Sequence, residues 1–229
     1  MTINKKSGLT DSDRVRDIIR ANLCKYTRRA FESIPIPKNP IILDIGCGSG
    51  VPTIELATLC DCRIIALDHD RHQLDLIEIK LKEKGLEDKI EILHCSIDKM
   101  NFADESFDII WSEGSIFVVG FERGLYEWRR LLKPNGYMGI HDVMGNIEEK
   151  INYITNSGCK LLDHFVLDRD VWWNEYYSPL QEKIRSMRNM RSGDPDIAAK
   201  FEKELREIEM YKKNPEEFES VFFVIKKEK

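Results

Sequence analysis

One segment limits the fold of this chain more than any other, the run Asp44-Ile45-Gly46-Cys47-Gly48-Ser49-Gly50. It follows the apolar residues 41–45, which predict a buried strand, and precedes residues 52–59, which predict a helix with proline in its first turn. Closely spaced glycines let the backbone turn tightly and let a ligand approach bare main chain. The helix that follows points its free N–H groups at such a ligand. A strand, a glycine loop and a helix in this order predict a ligand-binding α/β fold.

Strands and helices alternate after the loop. The strand patterns cover residues 63–68, 89–93, 107–111 and 137–143, and the helical patterns between them cover residues 71–84 and 121–132. Nearly continuous apolar strands separated by helices are typical of a parallel sheet covered on both faces. A helix at 147–157, a strand at 160–167 and a last strand at 220–225 complete the pattern. We predict a Rossmann-like α/β fold with a seven-stranded mixed sheet, in which the last strand pairs with 160–167 and runs antiparallel.

Two segments outside this alternation predict helices that cover the domain, an N-terminal cap and a lid insert. Residues 11–34 predict one amphipathic helix, with Thr10 as N-cap and Asp13 completing a capping box, and prolines end it. Residues 1–37 are therefore predicted as an N-terminal helical cap and 38–229 as the ligand-binding domain. Within that domain, residues 170–215 predict a helical lid insert, with helices that start at Ser178-Pro179 and Asp194-Pro195.

Charge and cysteine usage restrict the partners. The formal net charge of -5 disfavours nucleic acid, which attracts basic surfaces. The chain shows neither an apolar run of membrane-spanning length nor an apolar signal segment at its start. Its six cysteines lack the spacing of a zinc site and predict reduced thiols and no metal. These features favour a cytoplasmic monomer or homodimer that does not bind a membrane.

The spacing in the glycine loop points away from a dinucleotide. Dinucleotide loops have the form G-x-G-x-x-G and hold a pyrophosphate, whereas this loop is G-x-G-x-G. Asp44 lies two residues before the first glycine, where a carboxylate would repel a pyrophosphate and suit an amine. Asp68 ends the second strand, where a carboxylate can accept both ribose hydroxyls of an adenosine. A dehydrogenase is therefore disfavoured.

An ordered set of segments resembles the class I methyltransferases that use S-adenosylmethionine (SAM). The set comprises Asp44 to Gly50, Asp68, Ser96-Ile97-Asp98, Phe107 to Trp111 and Leu132 to Tyr137, and the resemblance covers residues 41–143. It is closest to the small-molecule branch that includes ubiquinone and menaquinone biosynthesis enzymes. The stretches 111–114 and 120–124 also resemble a subgroup of uncharacterised bacterial and archaeal methyltransferases.

The resemblance implies SAM as cofactor, with Asp68 on the ribose, residues 46–48 around the methionine end, Ser96 and Ile97 at the adenine edge and His69 against the adenine ring. The predicted cofactor-binding residues are Asp44, Gly46, Cys47, Gly48, Asp68, His69, Ser96, Ile97 and Ser112. Enzymes that methylate amide or base nitrogens carry an acidic-or-Asn-Pro-Pro-aromatic stretch after the fourth strand. This chain has Ser112-Glu113-Gly114-Ser115 there, which disfavours DNA-adenine and protein-glutamine acceptors.

Candidate catalytic residues lie near the carboxyl ends of two strands, where parallel sheets place their ligands. Glu113 and His141 are predicted as catalytic residues that handle the acceptor's proton. Each has a structural alternative, a helix-start carboxylate for Glu113 and a core histidine for His141. Tyr26, Trp172 and Tyr176 are predicted to line the substrate pocket, with packing of the lid as the alternative. Arg28 or Arg29 is a candidate for the cofactor's carboxylate.

Three functions are compatible with these patterns. The first is a SAM-dependent methyltransferase that acts on a small molecule. The second is a methyltransferase that acts on a protein or RNA docked on the helical insert. The third is a regulator that binds SAM without turnover. A closed aromatic pocket would favour the first, and an open basic rim the second.

Overall fold

The computed structural model describes residues 10–190, 199 and 201–228. Its strands form one sheet in the order β3-β2-β1-β4-β5-β7-β6. The strands are β1 (Ile41–Ile45), β2 (Arg63–Asp68), β3 (Ile90–His94), β4 (Phe107–Glu113), β5 (Leu132–Val143), β6 (Cys159–Leu167) and β7 (Ser220–Lys227). Strands β1 to β5 pair in parallel, and β7 is antiparallel to both β5 and β6. The predicted fold and the predicted antiparallel last strand are confirmed.

Helices cover both faces of this sheet, as the apolar strands require. They are α1 (Asp11–Arg20), α2 (Cys24–Glu32), α3 (Val51–Leu59), α4 (Arg71–Lys84), α5 (Phe121–Arg129), α6 (Ile147–Asn156), α7 (Arg169–Trp172), α8 (Ser178–Met190) and α9 (Glu202–Lys213). One face packs on α2, α3 and α4 around Phe31, Leu56 and Ile77. The other packs on α5 and α6 around Trp128 and Ile154. In the described part of the chain, no helix is long and apolar enough to cross a membrane.

The N-terminal helix is interrupted where one continuous helix was predicted. The predicted capping box is present, since the Thr10 side chain accepts from the Asp13 N–H and the Asp13 carboxylate accepts from the Thr10 N–H. The 3₁₀ turn Ala21–Leu23 then separates α1 from α2. No proline or glycine marks this break in the sequence. It lets α2 pack on the sheet while α1 packs on the insert.

The start of β5 was also predicted wrongly. The run Lys133-Pro134-Asn135-Gly136 predicts a turn before the strand, but β5 already begins at Leu132, which pairs with Phe107. The register then shifts, so that Ile109 pairs with Tyr137. The predicted turn is therefore an irregularity inside the strand, where a proline without an N–H is tolerated.

The N-terminal helix and the insert form a third apolar cluster beyond the end of the sheet. Val15 and Ile19 of α1 pack with Tyr177 of the insert, Leu180 of α8 and Ile208 of α9. The helix of α7 continues through a π-helical segment, Trp173–Tyr177, directly into α8. The predicted helix start at Asp194-Pro195 lies outside the described residues. Residues of α1 and of the insert thus assemble on one side of the glycine loop.

A close approach between β4 and β5 makes Gly139 sensitive to substitution. A Cβ on Gly139 would lie 2.2 Å from a ring carbon of Trp111, which is completely buried. We expect Gly139→Ala to lower the free energy of unfolding by about 1–3 kcal/mol, as overpacked cores do. Urea denaturation would measure this loss. In combination with Trp111→Phe, which trims the ring at that point, the loss should be smaller than the sum of the single effects, and additive losses would contradict the contact.

Candidate active site

The glycine loop is fastened to the end of β2. The N–H groups of Gly46 and Cys47 both donate to the Leu67 carbonyl at 2.9 Å, and the Gly48 N–H donates to Asp68 Oδ2 at 2.9 Å. Gly46 has a φ of 75°, and a Cβ there would lie 2.4 Å from Ser115 Cβ, so only glycine fits. A Cβ on Gly48 would meet nothing within 4 Å. The loop therefore presents bare main chain to open space.

A cavity of about 190 Å³ lies against this loop. It is bounded by α1, the glycine loop, the end of β4 and the insert. Its lining residues are Arg16, Asp17, Arg20, Asp44, Gly46, Cys47, Gly48, Ser49, Val51, Pro52, Glu113 and Tyr176. The structure thus brings together four of the residues predicted to bind the cofactor, namely those of the loop segment.

Asp44 is a buried acid at the base of this first cavity. Its Oδ2 accepts from the Thr53 hydroxyl at 2.6 Å, and its exposed fraction is 2%. Burial raises the pKa of Asp44 to about 7, and the nearby Glu113 and Asp68 carboxylates add to the rise. A cation placed beside Asp44 stabilises the charged form of this buried carboxyl, because the attraction offsets the desolvation of that form.

The cations at the cavity are two arginines that the sequence analysis did not identify. Arg16 and Arg20, one turn apart on α1, line it. The two arginines considered from sequence lie elsewhere, because Arg28 pairs with Glu55 at 2.5 Å and Arg29 stacks at 3.9 Å over the Phe165 ring. The four-residue spacing of Arg16 and Arg20 was the sequence signal that could have identified them, because it places both side chains on one face of α1.

The remaining predicted cofactor residues lie along the carboxyl ends of the strands. Asp68 accepts at Oδ1 from the Asp70 N–H at 2.9 Å, in addition to its bond from the loop. The His69 side chain is 81% exposed. Ser96 donates to the Asp98 carboxylate, and Ile97 lines a separate depression of about 300 Å³.

Ser112 is fully buried under the loop. Its hydroxyl is 2.6 Å from the Ser115 hydroxyl, which donates to the Ile45 carbonyl at 2.6 Å. Because the Ser115 hydrogen is used in that bond, Ser112 is the donor of the pair. This arrangement ties the residues after β4 to the end of β1, next to Gly46.

Glu113 is held by three donors from three elements. Its Oε1 accepts from the Thr27 hydroxyl at 2.7 Å and from the Trp111 indole N–H at 3.0 Å. Its Oε2 accepts from the Arg20 guanidinium at 3.0 Å. The side chain is only 5% exposed. The contacts join the end of β4 to both N-terminal helices, so Glu113 fixes the cap over the cavity.

A second cavity, of about 490 Å³, adjoins the first. The two share Arg20, Glu113 and Tyr176. The other lining residues are Gly114, His141, Asp142, Val143, Trp172, Tyr177, Glu207, Glu217, Phe218 and Ser220. Those from α9 and the following segment were not identified from the sequence, because a Lys- and Glu-rich run such as 200–213 is typical of a solvated helix face.

His141 lies at this second cavity between two aromatic rings. Its ring stacks 4.2 Å from Phe222 and 6.0 Å from Trp172, and its Nε2 is 2.7 Å from the Ser220 hydroxyl. The same hydroxyl accepts from the Trp172 indole N–H at 3.0 Å. Burial, together with the charge of Arg20, holds the pKa of His141 well below its usual range, so the ring is neutral. Its Nδ1 is buried without a hydrogen-bond partner among the described residues.

The residues predicted to form a substrate pocket divide between two places. Trp172 and Tyr176 line the second cavity, and Tyr176 also lines the first. The neighbouring Trp173, which was not among the predicted residues, stacks on Tyr211 with ring centroids 5.7 Å apart. Tyr26 packs with its ring 6.5 Å from Phe165 and is in the lining of neither cavity.

Known proteins resemble part of this chain in sequence. Residues 43–140 match the family model described as a methyltransferase domain. An uncharacterized protein of Haemophilus influenzae is 34% identical over 48% of this chain and 46% of its own length. The sterol 24-C-methyltransferase of Clavispora lusitaniae is 31% identical over 47% of this chain and 29% of its own. This chain therefore matches less than half the length of either relative.

A solved structure extends the similarity to nearly the whole fold. Phosphoethanolamine N-methyltransferase 2 of Haemonchus contortus, in complex with SAM, superposes with a TM-score of 0.74 at 16% identity. The alignment covers 96% of this chain and 58% of that one. Residues 43–140 thus match a methyltransferase domain, and the predicted resemblance to class I methyltransferases that use SAM is confirmed.

Proposed function

We propose that this chain transfers the methyl group of SAM to a small-molecule acceptor bound in the second cavity. The observation that carries the proposal is the adjacency of the two cavities, which meet at Arg20, Glu113 and Tyr176. A methyl transfer needs an acceptor aligned next to the cofactor and shielded from water. In this proposal, described residues of the predicted lid at about 170–215, within the predicted domain 38–229, form one wall of the site. Helix α1 of the predicted cap 1–37 forms the other wall.

The charges around the first cavity suit the methionine end of SAM. Arg16 and Arg20 offer cations for its carboxylate, and Asp44 offers an anion for its ammonium group. At about 190 Å³ the cavity is smaller than the roughly 300–1,000 Å³ of pockets that enclose whole ligands. We therefore place the adenosine outside it, with the ribose on Asp68 and the adenine near Ile97. Bound SAM supplies an electrophilic methyl group.

The two predicted catalytic residues receive different roles in this proposal. Glu113 is assigned to positioning, because three donors already occupy its carboxylate. His141 remains the candidate base, since its ring is neutral and its Nδ1 has no bond in the described part of the chain. Most of the rate would come from alignment of the acceptor, because the sulfonium is a good leaving group.

A screen of small metabolites with isotopically labelled SAM tests the proposal. The expected result is a labelled product, identified by mass, for one class of small molecule. Transfer only to protein or RNA would favour the second function considered from sequence, and SAM binding with no product from any acceptor would favour the regulator.

We also propose that the protein is a cytoplasmic monomer or homodimer and that it does not act on nucleic acid. The net charge of -5 supports the last point. All six cysteines are free, as is usual in a reducing compartment.

Cofactor binding should depend on pH through Asp44. Its pKa of about 7 means that protons compete with the ligand's ammonium group below pH 7. We expect the affinity for S-adenosylhomocysteine, whose α-amino group stays charged in this range, to fall up to about tenfold per unit from pH 7 to pH 5.5. Calorimetry across this range gives the slope. Asp44→Asn should bind weakly with a flat profile, and a slope unchanged by that substitution would contradict the assignment.

A further inference from the structure

The second cavity has an acidic lining with few compensating charges. Its carboxylates are Glu113, Asp142, Glu207 and Glu217, and Arg20 is the only Lys or Arg among its lining residues within the described ranges. Arg20 is bonded to Glu113, and Lys150 donates to Asp142 Oδ2 at 2.6 Å. Glu207 and Glu217 have no Lys or Arg nitrogen within 4.0 Å among the residues that the structure describes. The cavity therefore carries excess negative charge.

Aromatic rings stand at right angles around the same space. Trp172 and Tyr176 meet at 86°, Tyr176 and Tyr177 at 85°, and Tyr177 and Phe218 at 83°, with centroids 5.0–5.9 Å apart. The Tyr177 hydroxyl donates to Glu207 Oε1 at 2.9 Å, which fixes the carboxylate beside the rings. Perpendicular rings present both faces and edges to a bound group, and ring faces attract cations.

Two buried polar atoms lack partners at this cavity. Asp142 Oδ1 and His141 Nδ1 have no hydrogen bond in the described part of the chain. Their residues are 3% and 4% exposed, and both line the cavity. Buried polar atoms in folded proteins are nearly always paired with protein groups or ordered water, so these two atoms can bond to a ligand group or a water in the cavity. The carboxylate oxygen in particular requires a donor.

We propose that the second cavity binds a small organic cation, an alkylammonium group carried by the methyl acceptor, between the perpendicular rings and the Glu207 carboxylate. An anion would be repelled by the lining, and a neutral apolar ligand would bury Glu207 with no cation to compensate. An alkylammonium satisfies both the rings and the carboxylates. That its carrier is the methyl acceptor rests on the function proposed above, whereas the binding itself does not.

The test compares a cation with its neutral isostere. The full chain is titrated with choline and with 3,3-dimethylbutan-1-ol by calorimetry, both alone and saturated with S-adenosylhomocysteine. We expect choline to bind at least about tenfold more tightly, the preference of cation–π contacts in a desolvated site. Glu207→Gln should weaken choline at least about fivefold and leave the alcohol unchanged. Glu209→Gln, two residues along α9 on an exposed side chain, should change neither.

Phe218→Leu provides a second variant at the rim, because it keeps apolar volume and removes the ring face. It should also weaken choline selectively. Equal binding of the two ligands, or choline binding that neither variant changes, would overturn the inference. Binding of S-adenosylhomocysteine is read in the same samples. If S-adenosylhomocysteine does not bind, that result counts against the proposed function. The preference for choline, measured in the chain without S-adenosylhomocysteine, still tests the proposed cation site.

Discussion

Replacement of Glu113 with alanine is expected to lower the free energy of unfolding by about 3–5 kcal/mol, the loss typical of one partner removed from a buried ion pair. The variant leaves the Arg20 guanidinium, the Trp111 indole N–H and the Thr27 hydroxyl without their acceptor. Each unsatisfied buried donor adds its own desolvation penalty. Urea denaturation measures the effect, and binding of S-adenosylhomocysteine should weaken with it, because Arg20 lines the first cavity.

The Arg28–Glu55 pair provides a matched control. It also joins an N-terminal helix to the domain, but the Arg28 side chain is 53% exposed. Glu55→Ala should therefore cost no more than about 1 kcal/mol, as exposed ion pairs do. A Glu113→Ala variant as stable as the wild type, with activity alone abolished, would instead assign Glu113 to proton transfer and contradict its positioning role.

Removal of the Asp68 carboxylate is expected to weaken SAM binding more than about tenfold, because charged hydrogen bonds to two hydroxyls are worth roughly 1.5–3 kcal/mol. The structure adds a second reason. Asp68 accepts from the Gly48 N–H, so Asp68→Ala also releases the loop that faces the first cavity. Calorimetry with SAM gives the affinity. Asp68→Asn keeps one acceptor and should lose less.

The variant Asp70→Ala is a control that distinguishes the loss of a ligand contact from a loss of stability. The Asp70 carboxylate caps α4 by accepting from the His72 N–H at 2.9 Å, two residues from Asp68. Asp70→Ala should cost about 1 kcal/mol of stability and leave SAM affinity unchanged. An Asp68→Ala variant that binds SAM as the wild type does would remove Asp68 from the site.

The order of helices and strands along the chain could be predicted, because the sequence signals for them are local. The capping box at Thr10 and the left-handed Gly85 that ends α4 fix helix ends within a few residues. The alternation of apolar runs fixes the sheet. The break at Ala21–Leu23 and the early start of β5 could not be predicted, because packing against distant residues causes both. For β5 the decisive contact is the pairing of Leu132 with Phe107.

The candidate site likewise contains residues that could be predicted from the sequence and residues that could not. Asp44 near the end of β1 and the glycine loop after that strand could be predicted from their position, and Trp172 could be predicted from its place in the insert. Arg20 and Glu207 could not be found in the same way, because each reaches the cavities through contacts far along the chain. Arg20 binds a residue 93 positions away, and Glu207 accepts from one 30 positions away. Spacing along a helix shows which residues share a face, but not what that face meets.

Parallel calorimetric titrations of the full chain with SAM and with NAD distinguish a SAM site from a dinucleotide site. We expect one SAM site per chain, competed by S-adenosylhomocysteine, and no comparable binding of NAD, because Asp44 and the short glycine spacing suit an amine rather than a pyrophosphate. Preference for NAD, or no binding of SAM, would contradict the proposed methyltransferase function.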